Sequence, residues 1–185
     1  MAAMGNLELK SAIMDEMGIR RSMTRITHEM IEKNKGTENL CLVGIRRRGL
    51  PLAKMLAENI EKFEGVRVPL GYVDITLYRD DLTELSDMPA TGESNMSFGI
   101  TGKNVVLVDD VIYTGRTARA AIDAVFDHGR PSTVQLAVLI DRGHRELPIR
   151  PDYVGKNIPT SRTEMVSVQL EEIDGRNCVE LYAMV

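Results

Sequence analysis

The run from Val105 to Thr117, VVLVDDVIYTGRT, constrains the fold of this chain more than any other segment. Its first four residues are apolar, without polar alternation, which is typical of a central parallel strand covered on both faces. The polar turn Thr114-Gly115-Arg116-Thr117 follows, and residues 118–126 continue with an alanine-rich helical pattern. A strand, a polar turn and a helix in this order predict an α/β fold with the turn at the carboxyl end of the strand, where such sheets bind ligands.

The polar groups of this run predict a sugar-phosphate site. Residues 114–117 supply backbone N–H groups, two hydroxyls and a guanidinium at a helix N-terminus, which favours a phosphate. Asp109 and Asp110 would repel that phosphate, so we expect them to accept hydrogen bonds from sugar hydroxyls or to hold Mg2+, directly or through water. A solvated acidic turn is the alternative for an Asp-Asp pair alone, and the attached turn argues against it. The chain has neither a complete Walker loop nor a Gly-x-Gly-x-x-Gly motif after a strand.

A second anion site is predicted at residues 44–49, Gly-Ile-Arg-Arg-Arg-Gly, which lie between an apolar run and a helical pattern. The guanidinium groups of Arg46, Arg47 and Arg48, with the backbone at Gly49, match a pyrophosphate better than one lysine would. A solvated charged face is the alternative. Arg79 could reach the same diphosphate from a neighbouring loop.

The remaining pattern predicts a doubly wound, mainly parallel sheet flanked by helices, because strands and helices alternate. Apolar runs at 40–45, 66–77, 105–108 and 134–140 indicate strands, and residues 50–63 and 118–126 have helical patterns. Later strands at 165–170 and 179–184 suggest a smaller region after the main sheet. Residues 79–102 are polar with few apolar anchors, which predicts either a mobile lid or a tolerated surface insertion.

Length and composition predict a single domain over residues 1–185. They also predict a cytoplasmic protein. The chain is 43% hydrophobic, enough for a single core. Its two cysteines lie in apolar runs and cannot build a disulfide or metal framework. No segment has the run of about eighteen apolar residues that a membrane span needs. A net charge of −4 argues against nucleic-acid binding by the whole surface, so any RNA site must be regional.

Residues 17–35 predict a helix with one apolar and one basic side. Ile19, Met23, Ile26 and Met30 form the apolar stripe, and the basic flank consists of Arg21, Thr24, Arg25 and His28. A second basic group comprises Arg142, His144, Arg145 and Arg150. These residue types supply the stacking, polar and phosphate contacts by which proteins read RNA loops. A solvated helix flank remains the alternative.

The run 105–117 resembles the phosphoribosyl pyrophosphate (PRPP) motif of type I phosphoribosyltransferases. The resemblance implies that Asp109 and Asp110 hold the ribose hydroxyls, that the threonine-glycine turn holds the 5-phosphate and that the loop 46–49 binds pyrophosphate. It also implies substrate contacts at Val111 and Tyr113, a catalytic contribution from Arg79, and Mg2+ as cofactor. The expected fold has a small hood, built from an N-terminal strand and the C-terminal segment, and a mobile flap at about 79–102.

Two further runs, 74–81 and 141–161, resemble the pyrimidine operon regulators that are also uracil phosphoribosyltransferases, and the likeness extends from about Gly18 to the end. It implies that uracil and PRPP give UMP and pyrophosphate, that leader mRNA of a pyrimidine operon binds in response to UMP or UTP, and that the protein is a homo-oligomer. Residues 153–158 would face the base, with Ile158 packing on the ring and Arg150 donating to a carbonyl. Arg21, Thr24, Arg25, His28, Arg142 and Arg145 would contact RNA.

One position helps to choose the substrate. Tyr113 stands where purine-using relatives carry an acid that serves the imidazole nitrogen of the purine, and uracil has no such nitrogen. A purine phosphoribosyltransferase without an RNA role and a catalytically silent, nucleotide-sensing regulator remain the rival predictions.

Overall fold

A computed structural model describes residues 6–76, 78 and 94–184 of the chain. Strands and helices alternate through most of this part of the protein, as the apolar pattern predicts. In chain order the elements are β1 (Leu7–Met14), α1 (Glu16–Lys33), β2 (Leu40–Ile45), α2 (Gly49–Glu64), β3 (Leu70–Val73), β4 (Asn104–Ile112), α3 (Arg116–Phe126), β5 (Thr133–Asp141), β6 (Tyr153–Asn157), β7 (Glu164–Gln169), α4 (Glu171–Asp174) and β8 (Cys178–Met184).

Within the described residues, five parallel strands form the main sheet in the order β3-β2-β4-β5-β6. β2 is buried along its whole length, and β4 is buried from Val105 to Val108. Successive side chains enter opposite faces: Leu42 and Val106 belong to one core cluster, whereas Val43 and Val105 belong to the other. This two-sided core explains why the strands lack polar alternation.

Helices cover both faces of the main sheet. α1 and α2 contribute to the cluster that contains Leu42, and α3 contributes to the cluster that contains Val43. α1 begins where the side chain of Asp15 accepts a hydrogen bond from the backbone N–H of Gly18 at 2.7 Å, a typical N-cap. The fold is therefore the predicted doubly wound α/β architecture. None of the described helices combines the length and the apolar character that spanning a bilayer requires.

A second, antiparallel sheet forms from the two ends of the described chain, in the order β1-β8-β7. Leu7 pairs with Met184, and Val168 pairs with Val179, which is buried. This sheet corresponds to the hood expected from an N-terminal strand and the C-terminal segment. The salt bridge between Lys10 and Glu164 joins β1 to β7.

Two boundaries differ from the sequence prediction. The strand expected over 66–77 is confined to Leu70–Val73, because residues 66–69 lead into it without strand pairing. The expected flap, 79–102, is described only from Ser94 onward, and that part is anchored: Asn95 bridges to Tyr72, and Ile100 is only 1% exposed. Residues 79–93, including Arg79, lie outside the described residues, so a lid formed by that segment stays a prediction.

Candidate active site

The strand order places two polar loops side by side. The order in which strands are added reverses between β2 and β4, since β3 lies beyond β2 on one side and β5 lies beyond β4 on the other. The loop after β2 contains residues 46–48, and the loop after β4 contains residues 113–115. Ligands of open α/β sheets bind at the carboxyl ends of strands at such a switch point. The two predicted anion sites therefore follow neighbouring strands at the same edge of the sheet.

The acid pair lies at the end of β4, half-buried and in fixed orientation. Asp109 Oδ1 accepts a hydrogen bond from the backbone N–H of Asp110 at 2.9 Å, and Asp110 Oδ1 accepts one from the backbone N–H of Val111 at 2.8 Å. Burial raises the pKa of the Asp110 carboxyl above its usual value, although these hydrogen bonds and the charge of Arg48 oppose the rise. A ligand that supplies hydroxyl donors or a cation would favour the ionised form.

The predicted phosphate loop, residues 113–117, has a backbone conformation that depends on its glycine. Gly115 has a φ of 95°, a left-handed value that residues with a Cβ rarely adopt. The backbone N–H of Arg116 donates to Thr114 Oγ1 at 3.3 Å, and α3 begins at Arg116. A cavity of about 430 Å³ adjoins this loop, lined by Asp109, Val111, Ile112, Tyr113, Thr114, Gly115, Arg116, Thr117, Ala118, Leu136, Val138 and Glu146.

Residues 145–147 donate hydrogen bonds to the backbone carbonyl groups of the phosphate loop. Arg145 Nη1 donates to the carbonyl of Tyr113 at 2.8 Å, and the backbone N–H groups of Glu146 and Leu147 donate to the carbonyl of Thr114 at 2.9 and 3.1 Å. Because these carbonyl oxygens already accept hydrogen bonds within the protein, the loop offers N–H donors rather than oxygen acceptors to an anion. These hydrogen bonds were not predicted from the sequence, since the partners lie about thirty residues apart in the chain.

The arginine loop approaches β4 closely at Gly49. A Cβ built at that position would lie 2.1 Å from the carbonyl oxygen of Val108, so only glycine allows α2 to start there. The guanidinium of Arg46 lies 4.8 Å from the ring centre of Tyr72, and the peptide bond between Arg46 and Arg47 is cis. Both of these arginines are exposed.

Arg48 is oriented toward the second sheet instead. Its Nε donates to the carbonyl of Val168 at 2.9 Å, and its Nη2 forms a salt bridge with Asp174 at 2.7 Å. The pKa of Asp174 is lowered mainly by a hydrogen bond from the backbone N–H of Leu170, with a further contribution from Arg48. Arg46 and Arg47 are therefore the better placed guanidinium groups for a diphosphate.

The expected base-binding residues border a different, larger opening. Arg150 is exposed, and Ile158 is buried and belongs to the core cluster. Both line a cavity of about 1010 Å³ formed by residues of the segment 141–159. The burial of Ile158 leaves little of its side chain for packing on a base. Residues 153–157 form strand β6, which the sequence analysis did not predict.

Asp141 is a further candidate site residue, which the sequence analysis did not single out. It ends β5 opposite Ile112 of β4, so it reaches the same edge of the sheet as the acid pair. Its carboxylate accepts hydrogen bonds from Arg145 at 2.6 Å and from the backbone N–H of Gly143 at 3.0 Å. Its position at a strand end, next to the strand that carries Asp109, was the signal that could have identified it.

The structure contradicts the predicted contact of Arg142 with RNA. Arg142 was predicted to face RNA, but its side chain is buried and bonded to the segment 160–164, so it is absent from the surface. Its guanidinium lies 3.9 Å from the ring centre of Tyr113. Arg145 is half-buried, and its side chain bonds to Asp141 and to the carbonyl of Tyr113, so its contact with RNA stays a prediction.

Comparison with known proteins agrees with this geometry. A family model described as phosphoribosyl transferase domain matches residues 10–173. A relative from Acetivibrio thermocellus, named bifunctional protein PyrR, is 67% identical and covers 93% of this chain and 94% of its own. A relative of the same name from Clostridium perfringens is 62% identical over 95% of this chain and 99% of its own. The chain belongs to the PyrR family of phosphoribosyltransferases.

Solved structures support the fold of this PyrR-family chain. A hypoxanthine phosphoribosyltransferase from Trypanosoma cruzi matches with a TM-score of 0.72 and 22% identity, covering 94% of this chain and 95% of that chain. A hypoxanthine-guanine phosphoribosyltransferase from Bacillus anthracis matches with a TM-score of 0.68 and 20% identity, covering 96% of this chain and 99% of that chain. At these identities the likeness establishes the phosphoribosyltransferase fold alone.

The PyrR-family chain also presents the predicted basic flank on α1. Arg21, Arg25 and His28 are exposed, and Thr24 is half-buried beside them. Arg25 donates to the carbonyl groups of Val154 and Gly155 at 3.1 and 2.6 Å, so it also ties α1 to β6. The ring of His28 stacks on Phe63, with centroids 4.5 Å apart. The structure thus brings these four side chains together on α1.

Proposed function

We propose that the protein transfers the phosphoribosyl group of PRPP to uracil, giving UMP and pyrophosphate. The observation that supports this proposal is the placement of three groups at the ends of two neighbouring strands: the acid pair, the donor-rich phosphate loop and the exposed guanidinium groups of Arg46 and Arg47. Ribose hydroxyls, a 5-phosphate and a diphosphate require these three chemistries. Membership of the phosphoribosyltransferase family agrees with the assignment.

The chemistry of such a transfer needs positioning more than covalent help. When pyrophosphate leaves the anomeric carbon, positive charge builds on the ribose and negative charge on the leaving group. Asp109 and Asp110 would hold the ribose hydroxyls near that developing positive charge, and residues 114–117 would hold the 5-phosphate. Arg46 and Arg47 would stabilise the departing diphosphate, and Arg79 is proposed to assist from outside the described residues.

The donor set at the end of β4 fits Mg2+ that is shared with the substrate. No cluster of three or more His, Cys, Asp or Glu side chains that could hold a metal occurs among the described residues. Mg2+ commonly binds through one or two carboxylates, substrate phosphates and water, and Asp109 and Asp110 supply such carboxylates. When bound, Mg2+ would neutralise charge on the diphosphate. The two aspartates would hold it directly or through water.

Uracil is proposed rather than a purine base for two reasons. The relatives of high identity carry the name PyrR, whereas the hypoxanthine phosphoribosyltransferases are similar only at 18–22% identity. Tyr113 also stands at the position where the purine-using type I phosphoribosyltransferases have an acidic residue. Arg150 is the remaining exposed candidate for a base carbonyl.

A competition assay tests the substrate assignment. Purified protein with Mg2+ and PRPP would receive labelled uracil and labelled hypoxanthine together, and nucleotide products would be separated. We expect UMP to form and IMP to be at least a hundredfold less abundant. Equal use of hypoxanthine would refute uracil specificity, and the absence of any nucleotide would favour a silent regulator.

The second proposed activity is UMP-responsive binding of pyrimidine operon leader mRNA, with UTP as a further effector. The word bifunctional in the relatives' name and the exposed flank of α1 support it. We place this activity in the cytoplasm and in a homo-oligomer of two or more chains, which sedimentation would test. Gel-shift titration of the leader RNA with and without UMP decides the regulatory role, and no retained RNA at any UMP concentration would refute it.

A further inference from the structure

We infer that Arg142 is a positioning residue of the phosphoribosyl site, which holds the Tyr113 ring and thereby the phosphate loop. This inference rests on the proposed use of PRPP. It replaces the RNA-facing role predicted for Arg142 from the sequence. Arg142 is buried, with 7% of the residue exposed.

The guanidinium of Arg142 is bonded at its edge to the segment that enters β7. Its Nη2 donates to the carbonyl groups of Ser161 and Glu164 at 3.1 and 2.8 Å, and its Nε donates to Thr160 Oγ1 at 3.2 Å. Thr160 Oγ1 in turn donates to the carbonyl of Arg142 at 3.0 Å. These contacts fix the plane of the guanidinium, because several acceptors constrain the same rigid fork.

The face of the same guanidinium lies against Tyr113. The separation of 3.9 Å from the ring centre is within the range of a cation–π contact, and the contact is strong where water is excluded. His144 approaches the ring from a second direction, with centroids 6.0 Å apart in an edge-on arrangement. The ring is therefore held between two side chains of the segment that follows β5.

Holding Tyr113 holds the loop that binds phosphate. Tyr113 directly precedes Thr114 and lines the same cavity as Asp109 and Thr117. A rotation of its backbone would displace the N–H groups of residues 114–117. Arg145 already fixes the carbonyl of Tyr113, so Arg142 supplies the contact that fixes its side chain.

The arrangement also connects the phosphate loop to the second sheet. Glu164 begins β7, and its carboxylate accepts hydrogen bonds from Lys10 of β1 and from the backbone N–H of Ser161. Arg142 therefore joins Tyr113, in the loop after β4, to a segment anchored in the hood. A lysine could retain the charge over the ring, but it could not bond all three oxygen acceptors with fixed planar geometry.

Calorimetric titration with PRPP and Mg2+ tests this role independently of the base. We expect Arg142→Gln to raise the Kd for PRPP at least tenfold and Arg142→Lys to raise it about threefold, while kcat at saturating PRPP stays within about threefold. Arg162→Gln is the matched control, because Arg162 is an exposed arginine in the segment before β7. Its Kd for PRPP should stay within twofold of wild type.

Tyr113→Leu provides a second route if Arg142→Gln fails to fold, since it leaves the hydrogen bonds of Arg142 in place. It should weaken PRPP binding about as much as Arg142→Gln. The double variant should bind PRPP no more than twofold more weakly than the weaker single variant, because both changes remove one interaction.

The outcomes are distinguishable. PRPP affinity within twofold of wild type in Arg142→Gln, or losses that multiply in the double variant, would overturn the positioning role. Loss of leader-RNA binding with unchanged PRPP affinity would restore the surface role instead. If the wild type binds PRPP without making UMP, the proposed reaction is wrong and the titration still decides the positioning role. A wild type that does not bind PRPP overturns both.

Discussion

Asp109 and Asp110 are joined by a hydrogen bond in which the backbone N–H of Asp110 donates to the Oδ1 atom of Asp109 at 2.9 Å. A second bond, from the backbone N–H of Val111 to Asp110 Oδ1, continues the arrangement along the end of β4. The two carboxylates are therefore oriented by the backbone before any ligand arrives. Such preorganisation reduces the reorganisation that binding requires.

Replacement of both carboxylates should abolish most of the activity. We expect Asp109→Asn with Asp110→Asn to reduce UMP formation by more than about a hundredfold, a loss of roughly 2.7 kcal/mol of transition-state stabilisation. Initial rates with uracil and PRPP provide the measurement. Asp123→Asn, an exposed position on α3, is the control that should keep near wild-type rates. Wild-type turnover in the double variant would show that the ribose assignment is wrong.

Asp110 should also make stability depend on pH. Burial raises the pKa of its carboxyl, so the folded protein favours the neutral form. This contribution is fully present below the ordinary aspartate pKa and is lost as the pH rises through the raised pKa of the folded state. Asp110→Asn stays neutral, so we expect it to unfold at a higher temperature than wild type at pH 7.5, by a few degrees.

Thermal unfolding without ligand, measured from pH 7.5 toward pH 4.5, checks this sign. The advantage of Asp110→Asn over wild type should shrink as the pH falls, because wild-type Asp110 then becomes neutral as well. An advantage that grows toward low pH would contradict the raised pKa. Asp123→Asn, at an exposed position, is the control variant.

Gly115→Ala should damage PRPP binding specifically. Gly115 has a φ of 95°, which is strained for a residue with a Cβ, although the Cβ would make only ordinary contacts at 3.5 to 3.7 Å with Leu147, Arg145 and Ile149. The loop must therefore shift to relieve the backbone strain. We expect the KM for PRPP to rise at least tenfold. Gly65→Ala is the matched control, because Gly65 has a φ of 68° with open space around it. That variant should lose about 1 kcal/mol of stability and keep its KM.

The sequence predicted the elements that repeat a simple pattern. The apolar run of β4, the buried β2 and the helical stripe of α1 were all identified, because burial on two faces or on one stripe leaves a periodic trace. The turn between β4 and α3 was predicted for a similar reason. Its glycine and hydroxyl residues are local requirements of a turn that opens a helix.

Side-chain partners were not predictable in the same way. Arg142 and Arg145 follow β5 as a basic cluster that looks exposed in the sequence, yet their acceptors come from residues 160–164 and from Tyr113. The pairing depends on how separate strands end at one edge of the sheet. Strand β6 also escaped prediction, since its exposed residues interrupt the apolar pattern.

RNA binding should depend on α1 and not on the phosphoribosyl chemistry. Arg21 and His28 are exposed on one flank of α1, and neither lines the cavity beside the acid pair. We expect Arg21→Ala with His28→Ala to weaken leader-RNA binding at least tenfold, about 1.4 kcal/mol, while uracil turnover stays within threefold. These positions are cleaner than Arg25, which also bonds to β6.

Gel-shift titration with saturating UMP measures this effect, and Arg130→Ala supplies a control of equal charge. Arg130 is exposed in the loop between α3 and β5, outside α1. It should leave the Kd for RNA within twofold, because the basic flank lies elsewhere. In the wild type, UMP should tighten RNA binding, and by linkage RNA should tighten UMP binding by the same factor. Equal losses in both variants would indicate attraction by overall charge rather than a site on α1.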